Sequence, residues 1–192
     1  MPRHEGGARP HHAGMIVFTI GHSTRSFDEF LALLREAGIE CVVDVRRFPM
    51  SRRHPQFNAE ALAASLAAAG IGYRHVPALG GRRGKRADGK ESPHTLWREE
   101  SFRNYADYAE TEPFRSALDD LLCLAREKRV ALMCAEAVWW RCHRRLIADY
   151  LLAAGVPVEH ILDRGKIERA ELTPGAQIGR DGAILYREAR LV

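Results

Sequence analysis

The sequence lacks an apolar run long enough to cross a membrane. The apolar stretch nearest its start, Met15 to Ile20, is far shorter than the roughly 20 apolar residues that span a bilayer, and it leads directly into Gly21-His22-Ser23. A secretion signal is also absent, because the first residues show no extended apolar segment. We therefore expect a cytoplasmic protein without membrane association.

Closely spaced cysteine pairs are missing as well. The four cysteines, at positions 41, 123, 134 and 142, include no C-x-x-C pair. In a chain without an export signal, such cysteines are expected to be free thiols rather than disulfides. The spacing also matches no recognised zinc pattern, since structural zinc usually has short paired ligand spacings.

The chain has only a small excess of one charge. Its 29 basic and 25 acidic residues give a net charge of +4, which is not the dense basic stripe of an obligate nucleic-acid binder. This balance is compatible with an anionic ligand without requiring one. The 192 residues, 46% of them hydrophobic, suit one packed core better than two.

Strand-type and helix-type segments alternate along the chain. Ser26 and Glu29 predict a capping box at the start of the first helix, and Gly38 predicts its end. This alternation predicts an α/β fold, with a mostly parallel sheet and helices on both faces, as in a Rossmann-like three-layer sandwich. The predicted strands are 16–20, 41–45, 72–76, 130–134 and 158–162, and the predicted helices are 26–37, 58–69, 101–110, 111–127 and 140–154.

Three segments fall outside this alternation. Residues 1–14 show no apolar period and predict a disordered tail before an α/β domain over 15–162. Residues 163–192 are interpreted as an extension that packs on the domain, with a hairpin predicted around Asp181-Gly182. The segment 77–100 is rich in glycine and arginine and too long for an ordinary connection, so it is either a functional loop or a disordered one.

Polar residues follow the predicted strands at the edge where open α/β sheets bind ligands. The catalytic candidates are Asp44, Glu136, Cys142 and His143. Cys142 lies near a helix start beside arginines, which favours a nucleophilic thiolate, although an inert small residue fits the same position. Glu136 or His143 can move a proton, and His143 can instead be a buried hydrogen-bonding group. Asp44 is expected to pair with Arg46, either within a site or as a structural ion pair.

Several residues around the same edge predict an anion site. Guanidinium groups bind phosphate or carboxylate through two hydrogen bonds, and backbone N–H groups at a helix start favour anions. Arginine-rich loops are also often plain solvated surface. The anion-binding candidates are His22, Ser23, Arg46, Arg47, Gly80, Gly81 and Arg144.

A metal site is a weaker hypothesis. Cys134, Cys142 and His143 supply soft and borderline ligands, and Glu136 or Asp44 can complete a tetrahedron. Because the spacing is not that of a known zinc site, we predict no metal ligand and leave the cofactor unknown.

Six short motifs carry a family resemblance. They are Thr19-Ile20-Gly21-His22-Ser23, Val43-Asp44-Val45-Arg46, Pro49-Met50-Ser51, Leu79-Gly80-Gly81, Met133-Cys134-Ala135-Glu136 and Cys142-His143-Arg144. In this order, spread over about residues 15–162, they resemble the recurring motifs of the domain-of-unknown-function-488 family. The resemblance implies an α/β sandwich with a shared site, and it brings no settled substrate, reaction or cofactor.

These observations favour an enzyme. The expected activity is that of a hydrolase or group transferase on a phosphate-bearing small molecule, a nucleotide or a nucleic-acid end. One alternative is a nucleic-acid-binding accessory module without catalysis, in which the same residues form a recognition pocket. A further alternative is a thiol-dependent or metal-dependent redox or sensor domain.

Overall fold

A mostly parallel sheet forms the centre of the protein. In a computed structural model, which describes residues 14–188, the six-stranded sheet has the order β3-β2-β4-β1-β5-β6. The strands are β1 (Val17–Gly21), β2 (Cys41–Asp44), β3 (Gly72–His75), β4 (Val130–Cys134), β5 (Val158–Asp163) and β6 (Lys166–Arg169). The first five are parallel to their neighbours, and β6 pairs with β5 in the antiparallel direction. The predicted α/β class is therefore confirmed.

Helices cover both faces of this sheet. Within residues 14–188 the α-helices are α1 (Phe27–Glu36), α2 (Ala59–Ala68), α3 (Glu100–Ala109), α4 (Glu112–Glu127) and α5 (Arg144–Ala153). Alternate residues of a strand point to opposite faces, so Phe18 and Ile20 pack with the apolar residues of α1 and α2, whereas Val17 packs with those of α4 and α5. Two apolar cores result, one on each side of the sheet.

The first helix begins as the sequence predicts. The Glu29 backbone N–H donates to Ser26 Oγ at 3.2 Å, and the Ser26 backbone N–H donates to Glu29 Oε2 at 2.7 Å. This capping box satisfies two N–H groups that the helix itself leaves free. Gly38, at a φ of 65°, ends the helix in the left-handed region.

The start of the last helix differs from the prediction. The sequence predicts a helix from Trp140, but Trp139–Arg141 form a separate 3-10 turn and α5 begins only at Arg144. Cys142, between them, is extended, with φ −132° and ψ 151°. This conformation accompanies the contact of its sulfur with Cys134, a tertiary contact that local sequence patterns do not report.

The C-terminal part contains one strand that the sequence does not predict. β6 is largely exposed, so it has no apolar alternation to mark it. The predicted hairpin is present as β7 (Ala176–Ile178) and β8 (Ile184–Tyr186). It is joined to α5, because Tyr186 Oη donates to Asp149 Oδ2 at 3.0 Å.

The segment 77–100 lies against α3. Tyr105 Oη donates to the Leu79 carbonyl and Tyr108 Oη to the Ala78 carbonyl, both at 2.7 Å. The Arg83 guanidinium stacks over the Tyr108 ring at 3.6 Å. These contacts fix the first part of the segment at the carboxyl edge of the sheet.

The predicted disordered tail, residues 1–14, lies outside the described residues apart from Gly14. No helix within residues 14–188 has the length and apolar character needed to cross a membrane.

Candidate functional site

A cavity of about 710 Å³ opens at the carboxyl ends of β1, β2 and β4. These strands are neighbours in the sheet, so the segments that follow them meet at one edge. The predicted site residues that line the cavity are His22, Ser23, Arg46, Arg47, Gly81, Glu136, Cys142 and His143. The other three, Asp44, Gly80 and Arg144, do not line it.

Asp44 and Arg46 form a buried ion pair in the cavity wall. Arg46 Nε donates to Asp44 Oδ1 at 2.9 Å, and Arg46 Nη2 donates to Oδ2 at 2.6 Å. The Asp44 side chain is 0% exposed, and Tyr73 Oη also donates to Oδ2 at 2.7 Å. Both carboxylate oxygens are thus engaged, and Asp44 orients Arg46 rather than facing the cavity.

His22 lies against the free edge of this guanidinium. Its Nε2 is 3.3 Å from Arg46 Nη1, its Nδ1 is 2.9 Å from the Ser23 carbonyl oxygen, and its ring stacks on Phe57. Burial is the main reason that the pKa of His22 falls to about 4. The ring is therefore neutral at neutral pH, with Nδ1–H donating to the carbonyl and Nε2 accepting from Arg46.

Two cysteine sulfurs face each other at the floor of the cavity. Cys134 Sγ, at the end of β4, is 2.9 Å from Cys142 Sγ, and both thiols are free. Burial alone would raise the pKa of Cys142, but a hydrogen bond from Cys134 and the charges of His143 and Arg144 hold it well below its usual range. Burial, together with the hydrogen bond to Cys142, raises the pKa of Cys134. His143 Nδ1 and the Arg144 backbone N–H lie against the Cys142 sulfur, so Cys142 is the sulfur whose thiolate form is favoured and Cys134 is the thiol that donates to it.

His143 completes this cluster from the other side. Its Nδ1 lies 3.4 Å from Cys142 Sγ, and its Nε2 lies 3.0 Å from the Val45 carbonyl oxygen. A carbonyl only accepts, so Nε2 carries a proton and Nδ1 is left to take the proton of Cys142. The arrangement is a thiol and an imidazole in contact, with a third group that orients the imidazole.

Arg144 lies beneath the cluster and is 1% exposed. Its Nη2 donates to the Glu136 carbonyl at 2.6 Å, and its Nη1 donates to Thr19 Oγ1 at 3.2 Å. Its backbone N–H points to Cys142 Sγ at 3.5 Å. An anion-binding role predicts that Arg144 faces the cavity, but the structure does not bring it there. Arg144 instead holds the 134–144 turn and stabilises the Cys142 thiolate.

Three glycines allow this close packing. A Cβ atom on Gly21 would overlap the Glu136 carbonyl, and one on Gly80 would lie 2.8 Å from the Arg47 nitrogen. A Cβ on Gly81 would lie 2.9 Å from His143 Nδ1. Gly80 and Gly81 thus act through the space that they leave for neighbouring groups.

The cavity also contains residues that the sequence does not nominate. Phe102 and Tyr105 come from α3, far along the chain, and no local pattern marks them as site residues. The Tyr105 ring lies 5.2 Å from the His143 ring. His54 and Met50 belong to the segment after β2, where Pro49-Met50-Ser51 is the available signal. Arg82 and Arg141 add positive charge at the rim.

Among residues 14–188, no group of three or more His, Cys, Asp or Glu side chains is arranged to hold a metal ion.

Comparison with known proteins gives one match. The model of the family described as "Domain of unknown function DUF488" matches residues 26–151, which is more than half of the chain and includes most of the cavity lining. No curated protein and no solved structure matches the chain. On the family match, this chain belongs to the DUF488 family.

Proposed function

We propose that the protein is a cytoplasmic hydrolase or group transferase whose nucleophile is the Cys142 thiolate. The observation that carries this proposal is the contact of Cys142 with His143 at the floor of a cavity with a cationic rim. The substrate is a phosphate-bearing small molecule, a nucleotide or a nucleic-acid end. Location in the cytoplasm agrees with a mechanism that needs a reduced cysteine.

The proposed reaction has two displacement steps. Cys142 Sγ attacks the phosphorus atom, an S–P bond forms, and the P–O bond to the leaving group breaks while His143 Nδ1 gives that oxygen a proton. Water or an acceptor hydroxyl then attacks the phosphorus and loses its proton to Nδ1, and the S–P bond breaks to restore the thiolate. His143 serves as acid and then as base, and Glu136 is the other proton carrier at the cavity.

The cationic side chains around the cavity support an anionic substrate. Arg47, Arg82 and Arg141 are at the rim, while Arg46 is fixed in the wall by Asp44. A guanidinium that is already oriented loses little conformational entropy on binding an anion. Glu99 and Glu136 also line the cavity and disfavour a substrate with negative charge at every position.

The proposal is tested by turnover of a panel of phosphate esters. The panel contains nucleotides, sugar phosphates and oligonucleotides with 5′- or 3′-terminal phosphates, and release of the leaving group is measured with wild type, Cys142→Ala and Cys123→Ala. Cys123 is exposed on α4 and is a matched control for loss of a thiol. Turnover that survives in Cys123→Ala and disappears in Cys142→Ala supports the mechanism. Equal turnover in Cys142→Ala excludes Cys142 as the nucleophile.

A second function, binding of single-stranded nucleic acid without catalysis, is favoured by two apolar side chains at the mouth of the cavity. Phe48 is 62% exposed and Met50 is 81% exposed, and the Arg47 guanidinium lies over the Phe48 ring. Exposed aromatics beside arginines stack on bases and contact phosphates. This reading predicts oligonucleotide binding that weakens steeply with salt, is reduced in Phe48→Ala, and is accompanied by no turnover of any ester.

A further inference from the structure

The contact between Cys134 and Cys142 brings together two oxidisable sulfurs, and the proposed mechanism uses only one of them as a nucleophile. A nucleophilic thiolate requires donors and positive charge around it, and Cys134, His143 and Arg144 provide these, but a hydroxyl group could serve as the donor as well as the Cys134 thiol does. Cys134 adds a second oxidisable sulfur at 2.9 Å, and both sulfurs line the cavity. The other two cysteines are elsewhere, Cys41 buried in β2 and Cys123 exposed on α4.

We propose that Cys134 is the resolving thiol of a reversible disulfide with Cys142, formed when a hydroperoxide enters the cavity. The disulfide consumes the thiolate and switches the site off, and a dithiol reductant switches it on again. This inference depends on Cys142 as a reactive thiolate but on no particular substrate of the proposed enzyme.

The chemistry proceeds in two steps. The Cys142 thiolate attacks the terminal oxygen of the hydroperoxide, the O–O bond breaks, the alcohol or water leaves with the proton that His143 Nδ1 took from Cys142, and Cys142 becomes a sulfenic acid. Cys134 sulfur then attacks Cys142 sulfur, the S–O bond breaks, and the hydroxide leaves as water with the proton of Cys134. The two thiol groups are oxidised by two electrons in total, and the hydroperoxide is reduced by the same two electrons.

The geometry requires little movement for the second step. A disulfide has an S–S distance of about 2.05 Å, so the two sulfurs, now 2.9 Å apart, must approach by less than about 1 Å. Cys134 is fixed at the end of a central strand, whereas Cys142 lies in the extended link between a 3-10 turn and α5. Cys142 is therefore the partner that can shift without breaking regular structure.

The environments of Cys142 and Cys134 determine which sulfur reacts first with the hydroperoxide. Cys142 is the sulfur held as a thiolate, and thiolates rather than thiols react with peroxides. Cys134 stays protonated as the donor in the pair, so it does not compete for the peroxide. It is close enough to capture the sulfenic acid before a second peroxide converts that group to an irreversible sulfinic acid.

The test is peptide mapping by mass spectrometry of the full chain after treatment with hydrogen peroxide at a low molar excess. In wild type we expect a Cys134–Cys142 disulfide, detected by the loss of two hydrogen atoms from the linked peptides and reversed by dithiothreitol. The measurement needs neither turnover nor a substrate, so its result is separate from the success or failure of the ester screen. A wild-type protein in which Cys142 accumulates as sulfinic acid, or in which only Cys123 is oxidised, overturns the proposal.

Two variants identify the role of each sulfur. Cys134→Ser should accumulate sulfenic acid at Cys142, trapped by dimedone, and then sulfinic acid, whereas Cys123→Ser should form the disulfide as wild type does. Cys142→Ser should leave Cys134 unoxidised under the same conditions. Oxidation of Cys134 at the wild-type rate in Cys142→Ser contradicts the proposed order. Should Cys134→Ser fail to fold, the wild-type map alone still decides whether the disulfide forms.

Discussion

The Val45 carbonyl oxygen and His143 Nε2 are 3.0 Å apart, and this contact decides which nitrogen of the ring faces the reactive sulfur. Val45 directly follows β2, whereas His143 precedes α5, so a strand end and a helix start orient the imidazole together. The orienting group is a main-chain carbonyl, which a side-chain substitution cannot remove. The position of the ring therefore depends on the packing around it, and two predictions follow from this dependence.

Replacement of His143 should slow the reaction of Cys142 with electrophiles. In His143→Gln the ring that takes the thiol proton is lost, so we expect the rate of iodoacetamide labelling of Cys142 at neutral pH to fall by roughly tenfold or more. Labelling is followed by peptide mapping, and thermal unfolding reports whether the fold is kept. His54→Gln changes another histidine of the same cavity, which has no contact with Cys142 in the structure. This variant should be labelled at Cys142 as fast as wild type. A decrease in the labelling rate equal to that of His143→Gln would show that the effect is not specific.

Gly81→Ala should disturb the same contact without changing either reactive residue. The added Cβ would lie 2.9 Å from His143 Nδ1, so the ring must shift away from Cys142 or the loop must move. We expect slower labelling of Cys142 with a change in stability below about 2 kcal/mol, because the site is at the surface end of the sheet. Gly84→Ala is the matched control in the same loop, since nothing lies within 4 Å of its Cβ position. Labelling slowed equally by both substitutions would point to the loop as a whole.

The pH dependence of labelling reports the thiolate directly. Because the pKa of Cys142 is held well below its ordinary value, its thiolate form is already present near neutral pH. We expect the labelling rate to rise clearly less steeply between about pH 6.5 and 8 than the rate for a free thiol such as N-acetylcysteine, which rises roughly tenfold per pH unit below its pKa. A Cys142 rate that rises in parallel with that of N-acetylcysteine would contradict the assignment of the thiolate.

Breaking the buried Asp44–Arg46 pair should lower the free energy of unfolding. Asp44→Asn leaves the Arg46 guanidinium, 8% exposed, opposite a neutral amide, and removing one partner of a buried pair costs about 3–5 kcal/mol. The free energy of unfolding is measured by urea denaturation. Asp88→Asn removes one of the two carboxylates that pair with Arg86, at a more exposed position, and should change the midpoint little. Similar losses in both variants would mean that burial does not set the strength of the Asp44–Arg46 pair.

The sequence was sufficient for the features that depend on local pattern. Apolar runs marked the central parallel strands β1, β2 and β4, and Ser26 with Glu29 marked the start of α1. The carboxyl-edge rule then placed Cys142 and His143 at one site, because polar residues that follow neighbouring strands must meet there. These predictions needed no knowledge of distant contacts.

The features that the sequence could not provide depend on burial and on distant partners. In the sequence, nothing distinguishes Asp44 and Arg144 from charged residues at the surface. Only the fold shows that Asp44 holds Arg46, and that Arg144 holds the Glu136 carbonyl, from behind the cavity. Tyr105 reaches the site from a helix that no motif links to it. The extended backbone at Cys142 likewise depends on tertiary contacts, so a helix predicted through that residue was wrong.

His160, behind the cluster of Cys134, Cys142 and His143, should make the free energy of unfolding depend on pH. His160 lies on β5, its Nδ1 is 2.7 Å from Thr19 Oγ1, and Trp139 stacks on its ring. Burial first, and then the charge of Arg144, lowers the pKa of His160 to about 3. A histidine whose pKa is lower in the folded state is protonated more readily when unfolded, so its contribution to stability is present above the ordinary value of 6.5 and is lost as the pH falls toward 3.

We therefore expect the wild-type protein to lose stability between about pH 6.5 and 4, by up to about 1.4 kcal/mol per pH unit for each such histidine. His22, whose pKa falls to about 4, contributes in the same direction. Urea denaturation at several pH values gives the slope, and His160→Gln and His22→Gln should each reduce it, with the double variant reducing it further. A slope unchanged in His160→Gln would mean that His160 takes up its proton in the folded state, and that the Thr19 contact does not depend on a neutral ring.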